Sequence, residues 1–141
     1  MATMGPLTDA LGCFQKAAGL DPSNEEVWSN LGLTFYELGR YQESTDSYKK
    51  ALSLKPEDST GWYGQGLALN RTGRVDESIK SYQNATRLDP GYTAAWYNQG
   101  LALAELNRSE EAVDCFNRVL EIDPNIDEAK YSRDLLLDRQ K

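Results

Sequence analysis

This sequence repeats itself at an interval of 34 residues. Four kinds of residue recur at this interval: a tryptophan, a glycine, an aromatic residue and a proline. They are Trp28, Trp62 and Trp96; Gly32, Gly66 and Gly100; Tyr48, Tyr82 and Phe116; and Pro22, Pro56, Pro90 and Pro124. Sequence periods of this length are typical of repeat proteins, in which each unit packs mainly against its neighbours. The chain is therefore predicted to be an array of similar units.

Each unit is predicted to contain two amphipathic helices. In the first full unit, apolar residues spaced by three or four positions over residues 27–38 indicate one helix. Gly39 begins the turn, a second helix follows, and Pro56 ends the pair. Gly32 lies in the middle of the first helix, where glycine costs about 1 kcal/mol relative to alanine. Because glycine has no side chain, we expect it to allow the second helix of the pair to approach closely.

The residues that the units share also indicate a family. In the first full unit they are Trp28, Leu31, Gly32, Phe35, Ser44, Tyr48, Ala51 and Pro56. In the second they are Trp62, Gly66, Leu69, Ser78, Tyr82, Ala85 and Pro90, and in the third Trp96, Gly100, Leu103, Ala112, Phe116 and Pro124. This pattern resembles the tetratricopeptide repeat over nearly the whole chain, with Gln65 and Gln99 where that repeat has leucine. The resemblance implies an all-α fold, an α-solenoid of antiparallel helix pairs in a right-handed superhelix.

The period also predicts how the chain is divided. Residues 1–141 form a single domain that contains a half repeat with only the second helix at 7–24, full repeats at 25–58, 59–92 and 93–126, and a capping helix at 127–141. In the capping segment, Asp134 stands where a full repeat has its glycine. Since no partner helix follows, that position can be charged, as expected of a solvated cap.

Composition excludes several classes of function. The 22 acidic residues exceed the 15 basic ones and give a net charge of −7, so a nucleic acid is not an expected partner. The chain has no histidine, the commonest general base and metal ligand. Cys13 and Cys115 are three whole repeats apart, too far to form a disulfide. We therefore expect no enzymatic activity, no metal and no cofactor.

The sequence also shows no signal for membranes or secretion. No apolar run approaches the length of a membrane span. The N-terminal residues MATMGPLTDALG have neither the basic region nor the apolar run of a signal peptide. A cytoplasmic protein without membrane contact is the expectation.

The family resemblance implies that the first helices of the repeats line a concave groove. The positions of these helices that the core does not use are the candidate peptide-binding residues. They are Asn30, Leu33, Tyr36, Tyr63, Leu67, Arg71, Tyr97, Asn98 and Leu101. We expect Trp96 to pack inward, while Tyr97 and Asn98 face away from the core. An ordinary solvated helix surface without a ligand is the alternative interpretation.

One branch of this family grips the C-terminal carboxylate of chaperones with Lys, Asn and Arg side chains from these helices. The residues at the corresponding positions here are Ser29, Leu33, Gly64, Ala94 and Asn98. The carboxylate clamp is therefore absent. Asn30 and Asn98 instead resemble the asparagine ladder of the family's glycosyltransferase-associated repeats, in which amides hold a peptide backbone, and Gly64 interrupts that ladder.

Three functions remain open from the sequence. The first is a scaffold that binds a peptide segment of a partner protein in the groove. The second is a homo-oligomeric assembly module, in which Leu7, Leu11 and Phe14 of the unpaired N-terminal helix form an uncovered apolar face. The third is the regulatory repeat region of a larger enzyme. Fold alone does not select among them or identify a partner.

Overall fold

The computed structural model describes residues 5–139, which form eight α-helices and no strand. The helices are α1 (Pro6–Leu20), α2 (Glu25–Glu37), α3 (Tyr41–Leu54), α4 (Ser59–Arg71), α5 (Val75–Leu88), α6 (Thr93–Glu105), α7 (Ser109–Ile122) and α8 (Asp127–Arg139). The predicted all-α class is confirmed.

Most of the packing is between helices that are consecutive in the chain. The closest pairs are α2 with α3, α4 with α5, and α6 with α7, and each pair also packs on the helix that follows it. α1 packs on α2, and α8 packs on α7. Because the connections are short and the contacts local, the helix pairs stack side by side as an α-solenoid.

The repeated glycines mark the places where the two helices of a pair meet most closely. A Cβ atom built on the glycine would lie inside the aromatic side chain of the second helix, at 2.7 Å for Gly32 and Tyr48, 2.5 Å for Gly66 and Tyr82, and 2.8 Å for Gly100 and Phe116. The aromatic ring therefore rests directly on the backbone of the first helix. The expected role of these glycines in close helix packing is confirmed.

The turn inside each helix pair is made by a residue in the left-handed conformation. Gly39 and Gly73 have φ of 79° and 81°, and Asn107 has φ of 60° in the third repeat. Asparagine tolerates this conformation better than most other residues with a side chain. The amide of the next residue donates to the carbonyl oxygen five positions earlier, as Arg40 does to Phe35 at 2.8 Å. This bond closes the C-terminus of the first helix.

The three tryptophans connect each repeat to the turn before it. The indole N–H of Trp28, Trp62 and Trp96 donates at 2.8 Å to the carbonyl oxygen of the proline six residues earlier. All three side chains are half-buried. Trp96 packs against the core, as expected, but each of the three tryptophans also holds an inter-repeat turn at the surface.

The N-terminal helix differs from the expected uncovered face. Leu11 is only 6 % exposed, because it packs with Ala18 against α2. The assignment of Leu11 to a free surface is wrong: this side of α1 is covered by the next helix. Leu7 and Phe14 are half-buried. Phe14 occupies the repeat position of Tyr48, which packs on the first helix of its own pair. Phe14 instead packs on the cluster that Leu11 and Ala18 form with α2.

Candidate functional site

The first helices of the repeats form the inner layer of the array. Among helices that are not consecutive in the chain, α2 and α4 make the most extensive contact. The side of the array that carries α2, α4, α6 and α8 is the one predicted to be concave. We call the surface of these four helices the groove.

Leucines form a row along the groove. Leu33, Leu101 and Leu135 are exposed and Leu67 is half-buried, and they occupy the same position of α2, α6, α8 and α4. Packed helices lie about 8–10 Å apart, which is close to the length of three residues of extended peptide, at about 3.3 Å each. Leu135 was not predicted as a site residue, although the repeat interval after Leu101 leads directly to it.

Tyrosines form a second row beside the leucines. The ring centroid of Tyr63 lies 5.0 Å from that of Tyr92, and the ring centroid of Tyr97 lies 5.7 Å from that of Phe116. The expectation that Tyr97 faces away from the core is therefore wrong, since the half-buried side chain packs on Phe116 and also borders the groove. Tyr131 of α8 continues the row and is 70 % exposed. Sequence reasoning missed it because α8 was interpreted only as a cap.

Two open clefts of the groove lie between α6 and α8. One cleft of about 480 Å³ is lined by Tyr97, Asp127, Glu128, Tyr131 and Ser132. A second, of about 470 Å³, lies beside it and is lined by Thr93, Ala94, Tyr97, Val119, Ile126 and Glu128. Tyr97 and Glu128 border both clefts. An apolar side chain of a ligand would contact tyrosine and aliphatic groups there, next to a carboxylate.

The polar side chains of the groove connect neighbouring inner helices. The Asn98 amide nitrogen donates to the Tyr63 hydroxyl at 3.1 Å and to the Ala94 carbonyl at 2.9 Å. The Asn98 side chain is half-buried, and its carbonyl oxygen is a hydrogen-bond acceptor. Asn30 is half-buried at the same position of α2.

Gly64 takes the same position in α4 and has a different role. A Cβ atom built there would lie 2.6 Å from the Tyr48 hydroxyl oxygen, and Gly64 is buried. The Tyr48 ring therefore occupies the space that a side chain at position 64 would need. Gly64 does more than interrupt the series of asparagines, because it makes the close contact between the first two repeats possible.

Arg71 and Tyr36 form the wall of the groove near the C-terminal ends of α2 and α4. The Arg71 guanidinium donates to the Tyr41 hydroxyl at 2.7 Å, and its Cζ lies 5.0 Å from the centroid of the Tyr41 ring. The Tyr36 ring meets Tyr41 edge-on, with centroids 5.3 Å apart. These contacts hold three helices together. They also engage part of the hydrogen-bonding capacity of Arg71.

Residues 5–139 contain neither a metal-binding cluster nor a membrane-spanning helix. No group of three or more Cys, Asp or Glu side chains is arranged there to hold a metal ion. No helix in the same part of the chain has the length and apolar character needed to cross a membrane. Cys13 is exposed, whereas Cys115 is buried, and this burial raises the pKa of the Cys115 thiol to about 12. A thiol with that pKa stays protonated and unreactive near neutral pH.

Family comparisons match most of the chain. Sequence models of the tetratricopeptide repeat match residues 25–58 and 63–125, and a further model described as TPR repeat matches residues 4–39. A search among curated proteins found no match.

Several solved structures have the same fold. A crystal structure of MamA superposes with a TM-score of 0.91 at 22 % identity, over 99 % of this chain and 86 % of that chain. The first TPR of Spaghetti (RPAP3), bound to the HSP90 peptide SRMEEVD, has a TM-score of 0.79 at 26 % identity, over 82 % of this chain and 92 % of that one. The Arabidopsis OM64 TPR domain has a TM-score of 0.77 at 21 % identity, over 82 % of this chain and 95 % of that one.

Proposed function

The chain belongs to the tetratricopeptide repeat family, and from this premise we propose that it is a scaffold that binds a peptide segment of a partner protein in the groove. The observation that carries the proposal is the leucine row formed by Leu33, Leu67, Leu101 and Leu135 on four neighbouring helices. Exposed apolar side chains in register across a concave surface are suited to side chains of an extended or helical ligand. The proposal assigns no catalytic role to any residue.

Three kinds of contact support such binding. The leucines offer apolar surface, and Tyr97 and Tyr131 add aromatic surface to a cleft between α6 and α8. Tyrosine supplies a large contact area at low cost in conformational entropy. Because the Asn98 amide nitrogen is engaged by Ala94, we expect its carbonyl oxygen to accept a hydrogen bond from a peptide N–H. The inner helices hold these groups in fixed positions, which lowers the entropic cost of binding.

The ligand of the RPAP3 neighbour is not proposed for this chain. That neighbour was solved with the acidic peptide SRMEEVD. Here the positions of the carboxylate clamp hold Ser29, Leu33, Gly64, Ala94 and Asn98. None of these side chains is cationic, and the Tyr48 ring fills the space beside Gly64. We propose a ligand whose recognition does not depend on a free C-terminal carboxylate.

A selection from a random peptide library displayed on phage tests the proposal. Peptides recovered with the wild-type chain are synthesised with amidated C-termini, and their affinities are measured for Leu101→Asn and Leu54→Asn. Leu101 in the groove and Leu54 at the end of the outer helix α3 are both 38 % exposed, so the two variants are matched. We expect Leu101→Asn to weaken binding about tenfold or more, since buried anchors of interfaces commonly contribute at this level. Equal binding by both variants would show that the groove is not the binding surface.

Self-association through α1 is a second candidate function. Leu20 at the end of α1 is 79 % exposed. Within residues 5–139, α1 packs mainly on α2, which leaves its other side open. Leu7 and Phe14 keep part of their surface exposed, although Phe14 also contacts the apolar cluster between α1 and α2. We propose that this side contacts a second copy at high concentration, with Leu11 excluded from the contact. Sedimentation over a concentration series should show association that Phe14→Glu abolishes and Cys13→Glu, at an exposed neighbouring position, does not. A wild-type chain that stays monomeric throughout would rule this function out.

A further inference from the structure

The turn before α6 and the turn before α8 are equivalent by the repeat interval, but they carry different side chains. Tyr92 is the last residue before α6, and Ile126, 34 residues later, is the last residue before α8. Both side chains are half-buried. An aromatic ring at one boundary between inner helices is therefore replaced by a smaller aliphatic group at the next boundary.

At the boundary between α4 and α6, the Tyr92 ring is one of two rings that pack on Tyr63. The ring centroids of Tyr63 and Tyr92 lie 5.0 Å apart, and those of Tyr63 and Tyr82 lie 6.0 Å apart. Both distances are within the range of about 4.5–7 Å that aromatic pairs prefer. The chain thus contains one example of a ring that packs on the tyrosine of the preceding inner helix.

At the boundary between α6 and α8, the equivalent tyrosine has a cleft beside it. Within residues 5–139, Tyr97 packs on one ring, that of Phe116, with centroids 5.7 Å apart, as Tyr63 packs on Tyr82. Ile126 stands where the second ring would be attached, and the cleft of about 470 Å³ borders both Tyr97 and Ile126. Clefts of about 300–1,000 Å³ are typical of sites that take up a ligand group.

We propose that this cleft receives an aromatic side chain of the partner peptide, which takes the place that the Tyr92 ring has at the preceding boundary. The inference rests on the proposed peptide-binding function and specifies the anchor residue of the ligand. Val119 and Ile126 give the cleft apolar walls, and Tyr97 offers a ring. Because an aromatic pair contributes more than the burial of its area, the cleft favours an aromatic anchor over an aliphatic one.

The repeat interval also indicates that the anchor has a single place along the groove. Between α2 and α4, the positions of Tyr63 and Tyr92 are held by Ser29 and Asp58, so neither partner of the ring pair is aromatic. Between α4 and α6, the Tyr92 ring already packs on Tyr63. The aromatic residue of the ligand therefore binds between α6 and α8 and fixes the register of the peptide along the leucine row.

Three synthetic peptides test the inference directly. All are fluorescently labelled, amidated and of the form Leu-Ser-Ser-X-Ser-Ser-Leu, in which X is Phe, Leu or Ala and the apolar residues keep the spacing of the leucine row. Fluorescence anisotropy should show that the Phe peptide binds about fivefold more tightly than the Leu peptide, because an aromatic pair adds about this factor. The Phe peptide should bind about thirtyfold more tightly than the Ala peptide, which lacks the anchor.

A matched pair of variants tests where the ring binds. Ile126→Tyr gives the turn before α8 the residue that the turn before α6 already has, so the chain's own ring should fill the cleft and remove the preference for Phe. Ile126→Leu conserves volume and should keep that preference. Thermal denaturation checks that both variants fold. If Ile126→Tyr does not, Ala94→Tyr fills the same cleft from an exposed position of α6.

The outcomes separate this inference from the proposed function. Equal binding of the three peptides, or tighter binding of the Leu peptide, would overturn the aromatic anchor, and weakening of that binding by Leu101→Asn would leave the groove as the binding surface. A preference for Phe that survives in Ile126→Tyr would place the ring elsewhere and would also overturn the inference. If none of the three peptides binds, the inference fails, and the selection from the random library decides the proposed function separately.

Discussion

The two boundaries between full repeats use the same backbone period with different contacts. At the first boundary, Gly64 lets the Tyr48 ring pack against α4, and α2 and α4 lie close together. At the second boundary, Asn98 stands in the equivalent position and donates to the Tyr63 hydroxyl, and α4 and α6 approach each other less closely. One side chain at one repeat position thus decides whether neighbouring inner helices meet through steric fit or through a polar contact.

The boundaries also differ in the hydrogen bonding of a buried glutamine. Gln65 and Gln99 occupy the same position, and both side chains are buried. The Gln99 carbonyl oxygen accepts a hydrogen bond from the Thr86 hydroxyl at 3.4 Å. The Gln65 carbonyl oxygen has no partner in the described chain, because Leu52 stands where a donor like Thr86 would be needed. The first boundary therefore combines tight packing with an unpaired polar atom.

The substitution Gly64→Asn, which makes the first boundary resemble the second, should have the largest effect. An added side chain would overlap the Tyr48 ring, and overpacking of this kind costs about 3 kcal/mol. The converse change, Asn98→Gly, should cost about 2 kcal/mol, from one hydrogen bond and the low helix propensity of glycine. Urea denaturation measures both. Adding Tyr48→Ala to Gly64→Asn should bring no large further loss, because the same ring causes the clash; full additivity of the two losses would contradict this account.

Tyr97→Ala extends the comparison to the boundary between α6 and α8. Because Tyr97 packs on Phe116, the truncation should lower the free energy of unfolding by about 2 kcal/mol, somewhat less than for a fully buried aromatic. Tyr131→Ala removes the equivalent but mostly exposed side chain and should change stability by less than about 0.5 kcal/mol. Thermal denaturation of both variants measures the difference. Equal melting temperatures would mean that the contact between Tyr97 and Phe116 contributes nothing to stability.

The glutamines should respond to the same substitution with different results. Gln65→Leu removes an unpaired buried carbonyl and should stabilise the chain by about 1 kcal/mol. Gln99→Leu removes a carbonyl that is already paired, although at a long distance, and should leave stability nearly unchanged. Chemical denaturation of the two variants under identical conditions checks the prediction. A loss of stability in Gln65→Leu would show that a bound water or a different side-chain conformation satisfies that amide.

Alkaline pH should lower the free energy of unfolding slightly, through a buried tyrosine at each of the two boundaries. Burial raises the pKa of Tyr48 and of Tyr82 above the ordinary value of 10.0. Below that value both tyrosines are protonated in the folded and in the unfolded chain, so their contribution to the free energy of unfolding is fully present. Above it the unfolded chain ionises first, and stability falls as pH rises. Urea denaturation at about pH 8 and about pH 11 should show a smaller loss for Tyr48→Phe and for Tyr82→Phe than for the wild type.

Much of the fold follows from the repeat interval, because residues in register must serve the same packing. Gly32, Gly66 and Gly100 were assigned correctly for this reason. Gly64 has no counterpart among the equivalent residues Asn30 and Asn98, so the period gave no sign that it contacts Tyr48. A close contact that occurs once in an array is not visible in its periodicity.

The site was predicted less well than the fold. Helical spacing placed Tyr97 outside the core stripe of α6, but a tyrosine side chain is long enough to reach Phe116 from that position. Contacts between helices, such as the bond from Arg71 to Tyr41, join residues that are far apart in the sequence. Such contacts depend on how the helices are placed relative to one another, which the hydrophobic pattern of each single helix does not determine. Tyr131 and Leu135, by contrast, lie one repeat interval after Tyr97 and Leu101, so the sequence could have predicted them as site residues. They were missed only because Asp134 led to the interpretation of α8 as a cap.

The hydrogen bonds of the three tryptophans give the chain a built-in set of optical reporters. Each indole N–H is bonded to a proline carbonyl at 2.8 Å, one at each inter-repeat turn from α1 to α6. When a turn opens, its indole exchanges the carbonyl and its packed surroundings for water, and its emission shifts to longer wavelength. Chains that keep one tryptophan, with phenylalanine at the other two positions, would each report a single turn. Their emission would then show in which direction the array frays without any added dye.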